Sequence, residues 1–325
     1  MSASDHIDLG LSSETTRVAC LGSGLIGQSW TALFLAAGMS VAVFDPDPAT
    51  ETNVRRTVET VWPTLVRLGL TDRDAPSAET VFCRSAGAAI EGAQFVQESV
   101  PERLALKHEL YAEIEPLLPE TTVVASSASG LTLSELQHGW HDPSRFVLGH
   151  PFNPPHLIPL VEVMGNERTA PGVVAWVRRL YESIGKVTIE VKREVPGHVA
   201  NRLQAALWRE AIHLANEGVA SLKDIDTAVS SGPGLRWAVM GPTMLFHLGA
   251  GEGGLAAFCE RYADSFNRWW DDLGDAHLDT ATSAQLVAGL TQDLGESKIE
   301  DLTADRDRLL TAVVAAIRDR DSSPD

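Results

Sequence analysis

Short apolar runs alternate with amphipathic stretches over the first 195 residues of the chain. The apolar runs are typical of buried strands, and the stretches between them carry the apolar spacing of helices. Strands are predicted at 17–21, 41–44, 80–83, 94–97, 121–125, 145–149 and 186–191, with a further short strand around Glu162. Helices are predicted at 29–37, 50–70, 104–118 and 171–184. Strands that alternate with helices indicate a parallel sheet covered on both faces.

The pattern changes after Pro196. Apolar residues recur at helical spacing over 198–216, and Ser221 has the position of an N-cap for the next helix. No strand pattern of comparable strength follows. We therefore predict two domains, an α/β domain over residues 1–195 and a helical domain over residues 196–325.

The composition of the chain limits the kinds of partner that the protein is expected to bind. The chain has 325 residues and a formal net charge of -18, which disfavours nucleic acid and anionic membranes as partners. No apolar run has the length of a membrane span. Its three cysteines are far apart and lack metal-ligand spacing, so we expect no metal site and a reduced, cytoplasmic location.

A glycine-rich turn joins the first predicted strand to the first predicted helix. The turn is Gly22-Ser23-Gly24-Leu25-Ile26-Gly27, and Asp45 follows the second strand about 20 residues later. We expect Gly22 to form the tight turn, Gly24 to let a pyrophosphate approach the backbone, and Gly27 to pack the helix on the strand. Asp45 is placed to bind the adenine ribose diol and to repel a 2′-phosphate. The glycine turn between a strand and a helix, together with Asp45 after the second strand, predicts NAD as the cofactor.

Other polar residues follow later strands. Glu98, Glu102 and Ser129 all come after predicted strand ends, where ligands of parallel sheets bind. Ser129 has the position to contact a substrate oxygen, although such a hydroxyl in isolation more often binds its own turn.

A histidine in a proline-stiffened turn is the main candidate for chemistry. The segment is Gly149-His150-Pro151-Phe152-Asn153-Pro154-Pro155, and Glu162 lies in the apolar run that follows. A returning strand would place Glu162 against the imidazole, which would fix the tautomer and leave one nitrogen as a proton acceptor. Taken alone, the same residues also fit a turn histidine and a solvent-facing glutamate.

The helical half offers weaker candidates. Asn201 lies in the first turns of the long helix, where an asparagine usually faces solvent. Arg236 suits a substrate carboxylate and an interdomain ion pair equally well. Trp237 and its neighbouring tryptophans fit a core or subunit interface better than an aromatic wall around a cationic substrate.

Taken together, these motifs resemble the 3-hydroxyacyl-CoA dehydrogenase superfamily over almost the whole chain and in the same order. The motifs are the glycine turn, the segment 125–129, the His150 turn with Glu162, and Val195-Pro196-Gly197-His198-Val199-Ala200-Asn201-Arg202. The resemblance implies a Rossmann-type dinucleotide-binding domain followed by an all-helical C-terminal domain that dimerises. It also implies that His150 is the general base, that Glu162 orients it, and that Ser129 and Asn201 hold the substrate oxygen and the histidine.

The sequence departs from the acyl-CoA enzymes in ways that indicate a smaller substrate. Residues 49–80 contain no lysine, whereas the acyl-CoA enzymes have a lysine-rich hairpin there, and residues 235–239 lengthen a turn. Both features are more similar to the branch that contains λ-crystallin, L-gulonate 3-dehydrogenase and L-carnitine dehydrogenase. The expected reaction is NAD-dependent oxidation of a small 3-hydroxy acid to the 3-oxo acid. A 3-hydroxyacyl-CoA dehydrogenase, a polyketide ketoreductase and a crystallin-like NAD-binding structural protein remain the alternatives.

Overall fold

A computed structural model of the chain describes residues 16–322. These residues form two compact units. The first unit runs to Ala200 and also contains Leu310–Arg318, while the second contains Asn201–Leu309 and the residues from Asp319 onward. The domain boundary between residues 195 and 196 stays a prediction.

One eight-stranded sheet forms the centre of the first unit. Its strands are β1 (Arg17–Leu21), β2 (Ser40–Phe44), β3 (Thr80–Phe82), β4 (Phe95–Glu98), β5 (Val123–Ser126), β6 (Phe146–Pro151), β7 (Leu160–Met164) and β8 (Val187–Glu190). Their order across the sheet is β3-β2-β1-β4-β5-β6-β7-β8. The strand order reverses between β1 and β4, and ligands of such sheets bind at the carboxyl ends of the strands near this point.

Two strands at one side of the sheet run against the others. Strands β1 to β6 are parallel, whereas β7 is antiparallel to β6 and β8 is parallel to β7. The short turn 152–159 brings the chain back from β6 into β7. The resulting register places His150 directly opposite Glu162.

Helices cover both faces of the sheet. One face carries α1 (Leu25–Ala36), α2 (Thr50–Arg67) and α6 (Val173–Ser183), and the other carries α3 (Ala86–Ile90), α4 (Leu104–Ile114) and α5 (Leu133–Gln137). Residues of β1 alternate between the two cores: Val18 and Cys20 pack on one side, Ala19 and Leu21 on the other. Because both faces are buried, the strands are apolar along their whole length, which is why apolar runs predicted them.

The second unit consists of helices. They are α7 (Ala200–Asn216), α8 (Leu222–Ser231), α9 (Pro233–Trp237), α10 (Pro242–Gly249), α11 (Gly254–Asp272), α12 (Thr280–Leu294) and α13 (Ile299–Ser322). As predicted, Ser221 caps α8, since its hydroxyl accepts a hydrogen bond from the N–H of Asp224. Large apolar side chains on these helices remain exposed, among them Leu203, Trp208 and Trp270 at 68%, 51% and 62%.

Part of α13 belongs to the first unit. Val314 is buried and packs with Leu68 and Leu157. Arg318 donates a hydrogen bond to the carbonyl oxygen of Gly185, at 3.2 Å. The last helix therefore completes the apolar cover of a unit that is otherwise built from the first 200 residues.

The predicted fold class is confirmed, with a helix-covered sheet followed by a helical region. Helix α1 begins at Leu25, within the glycine turn and earlier than the predicted residue 29. Three five-residue helices, α3, α5 and α9, were not predicted, because one turn of helix is too short to show a period, and α9 covers part of a segment that was predicted as a turn. Over residues 16–322, no helix combines the length and the apolarity needed to cross a membrane.

Candidate active site

The predicted pair of His150 and Glu162 is brought together by the antiparallel register of β6 and β7. Nδ1 of His150 lies 2.8 Å from Oε2 of Glu162, and the two residues are 5% and 0% exposed. An ionised carboxylate can only accept hydrogen bonds, so Nδ1 carries the proton. Nε2 of His150 is then left with a lone pair that can take a proton from a bound molecule.

The second oxygen of Glu162 is fixed by the start of helix α7. Oε1 accepts hydrogen bonds from the main-chain N–H groups of Val199 and Ala200, at 2.9 and 3.0 Å. Burial by itself raises the pKa of Glu162, but the hydrogen bonds from His150, Ala200 and Val199 outweigh it and lower the pKa below its ordinary value. Glu162 is therefore an anion held at three points, and it orients the imidazole rigidly.

The turn after His150 is anchored from two sides. The buried Lys186 donates hydrogen bonds to the carbonyl oxygens of Pro155 and Ile158, at 2.5 and 2.6 Å. Burial, and secondly the charge of Arg318, lower the pKa of Lys186 to about 7. On the other side, the N–H of His156 donates to the hydroxyl of Ser29 on α1, at 2.7 Å. The turn is thus tied to the helix that follows the glycine turn.

The three glycines of the glycine turn meet different surroundings. A Cβ on Gly27 would lie 1.9 Å from the carbonyl oxygen of Gly22, and a Cβ on Gly22 would lie 2.6 Å from the backbone of Ser99. Gly22 also has a φ of 90°, in the left-handed region that favours glycine. Close packing therefore requires both of these glycines. A Cβ on Gly24, in contrast, would meet no atom within 4 Å.

The open space beside Gly24 lies at the N-terminus of helix α1. Gly24 is the N-cap of this helix and makes no side-chain cap, and Leu25 beside it is 79% exposed. Ile26 is the second residue of the helix and packs partly against the core. An uncapped helix N-terminus next to open space suits a phosphate group, which accepts hydrogen bonds from free N–H groups at the positive end of the helix dipole. The turn therefore fits a dinucleotide pyrophosphate.

Asp45 lies directly after β2 and against the glycine turn. Its Oδ2 accepts a hydrogen bond from the N–H of Ser23 at 2.7 Å, and its Oδ1 accepts one from the N–H of Asp47 at 3.0 Å. The carboxylate is half-buried. It therefore lies at the carboxyl end of β2, where the second strand of a dinucleotide-binding unit meets the adenosine ribose.

Glu98 is the centre of a buried polar cluster. Its Oε1 accepts hydrogen bonds from Nζ of Lys107 at 2.6 Å and from the N–H of Val100 at 2.8 Å. Its Oε2 accepts from the hydroxyls of Tyr111 and Ser126, at 2.6 and 2.7 Å. Glu98 and Lys107 are both 0% exposed. The buried carboxylate thus links the carboxyl ends of β4 and β5 through hydrogen bonds and does not face solvent.

Glu102 and Ser129 meet at the same edge of the sheet. Oε1 of Glu102 accepts hydrogen bonds from the N–H groups of Ser129, Gly130 and Leu131, at 3.0, 2.6 and 3.0 Å. Glu102 therefore fixes the loop that carries Ser129. Ser129 is partly exposed, and its place after β5 agrees with the strand end that the sequence indicated.

The other predicted site residues belong to the second unit. Asn201 is the second residue of α7 and is half-buried. Arg236 and Trp237 close helix α9, and both are exposed, Trp237 by 39%. Their role beside His150 stays a prediction. No group of three or more His, Cys, Asp or Glu side chains in residues 16–322 is arranged to hold a metal ion.

Sequence reasoning did not find the main-chain groups of Val199 and Ala200. Amide N–H groups leave no trace in residue type, and only the glycine-containing segment before α7 hinted at a special backbone there. It also passed over His198, which is 1% exposed and whose ring centroid lies 5.3 Å from that of His150.

Two family models match consecutive parts of the chain. The model described as 3-hydroxyacyl-CoA dehydrogenase, NAD binding domain, matches residues 17–195. The model described as 3-hydroxyacyl-CoA dehydrogenase, C-terminal domain, matches residues 197–287. The residues of the glycine turn, Asp45 and His150 thus all fall in the part that matches the NAD-binding domain.

Curated relatives match over nearly the full chain. The L-carnitine dehydrogenase of Streptomyces coelicolor is 48% identical over 300 residues, which cover 92% of this chain and 94% of that protein. The L-carnitine dehydrogenase of Pseudomonas aeruginosa is 41% identical and covers 94% of this chain and 95% of that protein.

Solved structures share the fold. An NAD+-dependent 5-formyl-3-hydroxy-2-methylpyridine 4-carboxylic acid 5-dehydrogenase matches with a TM-score of 0.81 and 32% identity, over 94% of this chain and 99% of that chain. The (S)-3-hydroxybutyryl-CoA dehydrogenase of Ralstonia eutropha matches with a TM-score of 0.61 and 25% identity, over 78% of this chain and 89% of that chain.

Proposed function

The chain belongs to the 3-hydroxyacyl-CoA dehydrogenase family, and on this premise we propose that it oxidises the 3-hydroxyl group of L-carnitine to the 3-oxo acid with NAD. An NAD-dependent dehydrogenase acting on the CH–OH group of a 3-hydroxy acid follows from the family and its relatives. The choice of L-carnitine rests on relatives that carry this name at 44–48% identity. The observation that carries the chemistry is the buried His150–Glu162 pair.

His150 is the proposed general base. Its Nε2 takes the proton of the 3-hydroxyl group while the hydride leaves the same carbon, and it returns the proton in the reverse reaction. The imidazolium formed in this step stays paired with the carboxylate of Glu162 at 2.8 Å. Because Glu162 is also held by the N–H groups of Val199 and Ala200, it remains ionised and in place through the proton transfer.

NAD, when bound, supplies the hydride acceptor, and the residues of the first unit are proposed to bind and orient it. Gly24, Leu25 and Ile26 offer the N-terminus of α1 to the pyrophosphate, and Gly22 and Gly27 give the turn its shape. Asp45 is proposed to accept the hydrogen bonds of the adenosine ribose hydroxyls.

Two further acids support this site from the sheet. Glu98 is proposed to hold the ends of β4 and β5 through its buried hydrogen bonds. Glu102 is proposed to hold the loop of Ser129. Both glutamates would then act on the nucleotide site through the backbone that they position.

The chemistry of L-carnitine suggests roles for the substrate residues. It carries a carboxylate at one end and a quaternary ammonium group at the other. We assign the reacting oxygen to Ser129 and Asn201, the carboxylate to the guanidinium of Arg236, and the cation to the indole face of Trp237.

A substrate panel tests the function directly. NADH formation is followed with L-carnitine, D-carnitine, L-gulonate, 3-hydroxybutyrate and 3-hydroxybutyryl-CoA, using the full chain and either NAD or NADP. We expect turnover with L-carnitine and NAD, and little with D-carnitine. Turnover confined to the CoA thioester or to L-gulonate would overturn the choice of substrate, and no turnover with any of them would favour a structural NAD-binding protein.

The role of His150 is tested by His150→Ala. The variant should bind NADH normally and lose about 10²–10⁴-fold in kcat, the usual contribution of a general base. The exposed His138 provides a matched control, and His138→Ala should keep wild-type kcat. Wild-type turnover in His150→Ala would refute the assignment.

We also propose that the protein is a cytoplasmic homodimer. Apolar side chains on α7 and α11, including Leu203, Trp208, Trp269 and Trp270, are at least half exposed, which favours a subunit interface on this unit. Light scattering coupled to size exclusion should give twice the mass of 35.0 kDa, and Trp270→Glu should shift it toward the monomer. Cys20, Cys83 and Cys259 are all free thiols, in keeping with a reducing compartment, and cell fractionation tests the location.

The domain boundary is proposed between residues 195 and 196. The proposal is supported by the two family models, because one match ends at residue 195 and the other begins at residue 197. Limited proteolysis with mass spectrometry tests whether the chain is cut near this boundary.

A further inference from the structure

His198 has an unusual backbone that is explained by its neighbours. Its φ is 50°, in the left-handed region that few residues other than glycine adopt, and the preceding Gly197 has a φ of 75°. This pair of left-handed residues reverses the chain just before α7. The reversal directs the N–H groups of Val199 and Ala200 to Oε1 of Glu162. The hydrogen bonds to Glu162 therefore explain the left-handed backbone of His198, but they do not explain why its side chain is a buried imidazole.

The imidazole of His198 is buried without a partner. The residue is 1% exposed, and neither ring nitrogen has a hydrogen-bond partner among the residues that the structure describes. Buried polar groups in proteins are nearly always hydrogen-bonded, so each exception calls for an explanation. A glycine, or an asparagine with a shorter side chain, would give the same backbone without burying two orphan nitrogens.

The orphan ring lies beside the proposed general base. The ring centroids of His150 and His198 are 5.3 Å apart, and the ring planes are inclined by 53°. The main chain of Ala128, one residue before Ser129, lies near the ring and raises the pKa of His198 as a hydrogen-bond acceptor does, but neither ring nitrogen reaches it with the geometry of a hydrogen bond. The ring thus lies beside the proposed general base and near the loop that carries Ser129.

The environment keeps the ring of His198 uncharged. Burial, and secondly the positive charge that His150 can carry, lower the pKa of His198. Glu162, the backbone of Ala128 and Glu102 oppose this effect only in part. A neutral imidazole carries one N–H donor, and a neutral histidine donor can polarise a substrate oxygen without competing for the proton that the base must take.

We propose that His198 is a second catalytic histidine, which donates its N–H to the substrate oxygen that gives its proton to His150. This proposal rests on the proposed function of His150. During oxidation the O–H bond breaks and its proton passes to Nε2 of His150, the C–H bond breaks and its electron pair passes as hydride to NAD, and the C=O bond forms. The oxygen gains negative charge if the proton leaves ahead of the hydride. A donor aimed at it then stabilises the transition state more than the substrate.

His198→Phe is the first test, because it keeps a ring of similar size and removes the donor. With L-carnitine and NAD, we expect roughly a 100-fold loss in kcat, the effect of removing one oxyanion donor, with little change in KM or in NADH affinity. His138→Phe, a matched change at an exposed position, should keep wild-type kcat. Wild-type kcat in His198→Phe would overturn the proposal.

His198→Gly is the second test and does not depend on how well phenylalanine fits. Glycine adopts the left-handed backbone without cost and leaves a cavity the size of an imidazole. We expect low kcat that added imidazole partly restores, with benzene as the apolar control that does not. No restoration in a variant that binds NADH normally would overturn the proposal.

The two proposals fail in distinguishable ways. If His150→Ala is fully active, the assignment of the general base is wrong whatever the His198 variants do. If His150→Ala is inactive while His198→Phe has wild-type kcat, only the role of His198 is wrong.

Discussion

Replacing Glu162 by glutamine should change the tautomer of His150 while leaving the shape of the site intact. The carboxylate accepts one hydrogen bond from Nδ1 of His150 and two from the N–H groups of Val199 and Ala200. A glutamine has only one oxygen for these three donors. The two backbone N–H groups cannot change into acceptors, so the amide oxygen should turn toward them. The amide NH2 group then faces His150.

The NH2 group of the glutamine changes which nitrogen of the His150 imidazole carries the proton. Nδ1 of His150 must accept from the glutamine NH2 group, so the proton of the neutral ring shifts to Nε2. Nε2 is the nitrogen that would take the substrate proton, and it can no longer do so. The wrong tautomer in an analogous histidine–carboxylate pair costs about 10⁴-fold in kcat, or about 5 kcal/mol of activation free energy at 1.36 kcal/mol per tenfold.

Steady-state kinetics with L-carnitine and NAD measure this effect in Glu162→Gln. We expect kcat to fall by about 10³–10⁴-fold. KM and the NADH dissociation constant, measured by fluorescence, should change little. The exposed Glu59 gives the matched control, and Glu59→Gln should behave as wild type. A loss of less than tenfold in Glu162→Gln would refute the tautomer argument.

The stability of the same variant should depend on pH in a defined direction. The pKa of Glu162 is lower in the folded protein than its ordinary value. Its ionised form therefore stabilises the fold fully above the unfolded-state value of about 4.3, and this contribution is lost as the pH falls through the lower folded-state value. The difference in unfolding free energy between wild type and Glu162→Gln should thus be largest near neutral pH and shrink in acid. A difference that stays constant from neutral to strongly acid pH would contradict it.

Three other predictions concern the nucleotide site and its support. Asp45→Ala should raise the Kd of NAD by about 10- to 100-fold and reduce discrimination against NADP, because hydrogen bonds to a charged group contribute about 1.5–3 kcal/mol. Initial rates with NAD and with NADP test this prediction, and an unchanged preference for NAD would contradict it. Gly24→Ala should keep the wild-type melting temperature but bind NAD weakly, because the added Cβ meets open space. Gly27→Ala should have a lower melting temperature, because its added Cβ would clash with the backbone of Gly22. Equal melting temperatures of the two variants would contradict this prediction. Lys107→Met leaves the charge of Glu98 buried and unpaired, and denaturant unfolding should show a loss of about 3–5 kcal/mol. A loss below about 1 kcal/mol, the range of exposed ion pairs, would contradict this prediction.

The parts of the site that depend on local sequence were predictable. The glycine turn follows a strand and opens a helix, so its place could be predicted from its spacing. The structure gives Gly22 and Gly27 a steric reason, whereas the role of Gly24 beside a pyrophosphate stays a prediction. The contact between His150 and Glu162 followed from two apolar runs separated by a turn too short for a crossover helix. Such a turn leaves an antiparallel return as the available geometry.

The groups that the sequence did not reveal depend on tertiary packing. Glu98 was expected at the rim of the nucleotide site, but its carboxylate is covered because Lys107 and Tyr111, on the following helix, reach back to it. The burial of His198 depends on a left-handed turn that residue identity alone does not require. Each of these depends on segments that meet only in the folded unit.

The placement of Leu310–Arg318 in the first unit has a consequence for synthesis on the ribosome. Val314 is synthesised long after Leu157, yet it covers this residue, which lies in the turn that follows His150. The first 200 residues emerge with Leu68 and Leu157 uncovered, and they stay so until Leu310–Arg318 has also emerged. Domains usually fold as they emerge, N-terminal first, whereas this one can complete its core only after this later segment has left the ribosome. A nascent chain stalled before residue 310 should therefore remain sensitive to protease near the turn after His150, and the released chain should resist it.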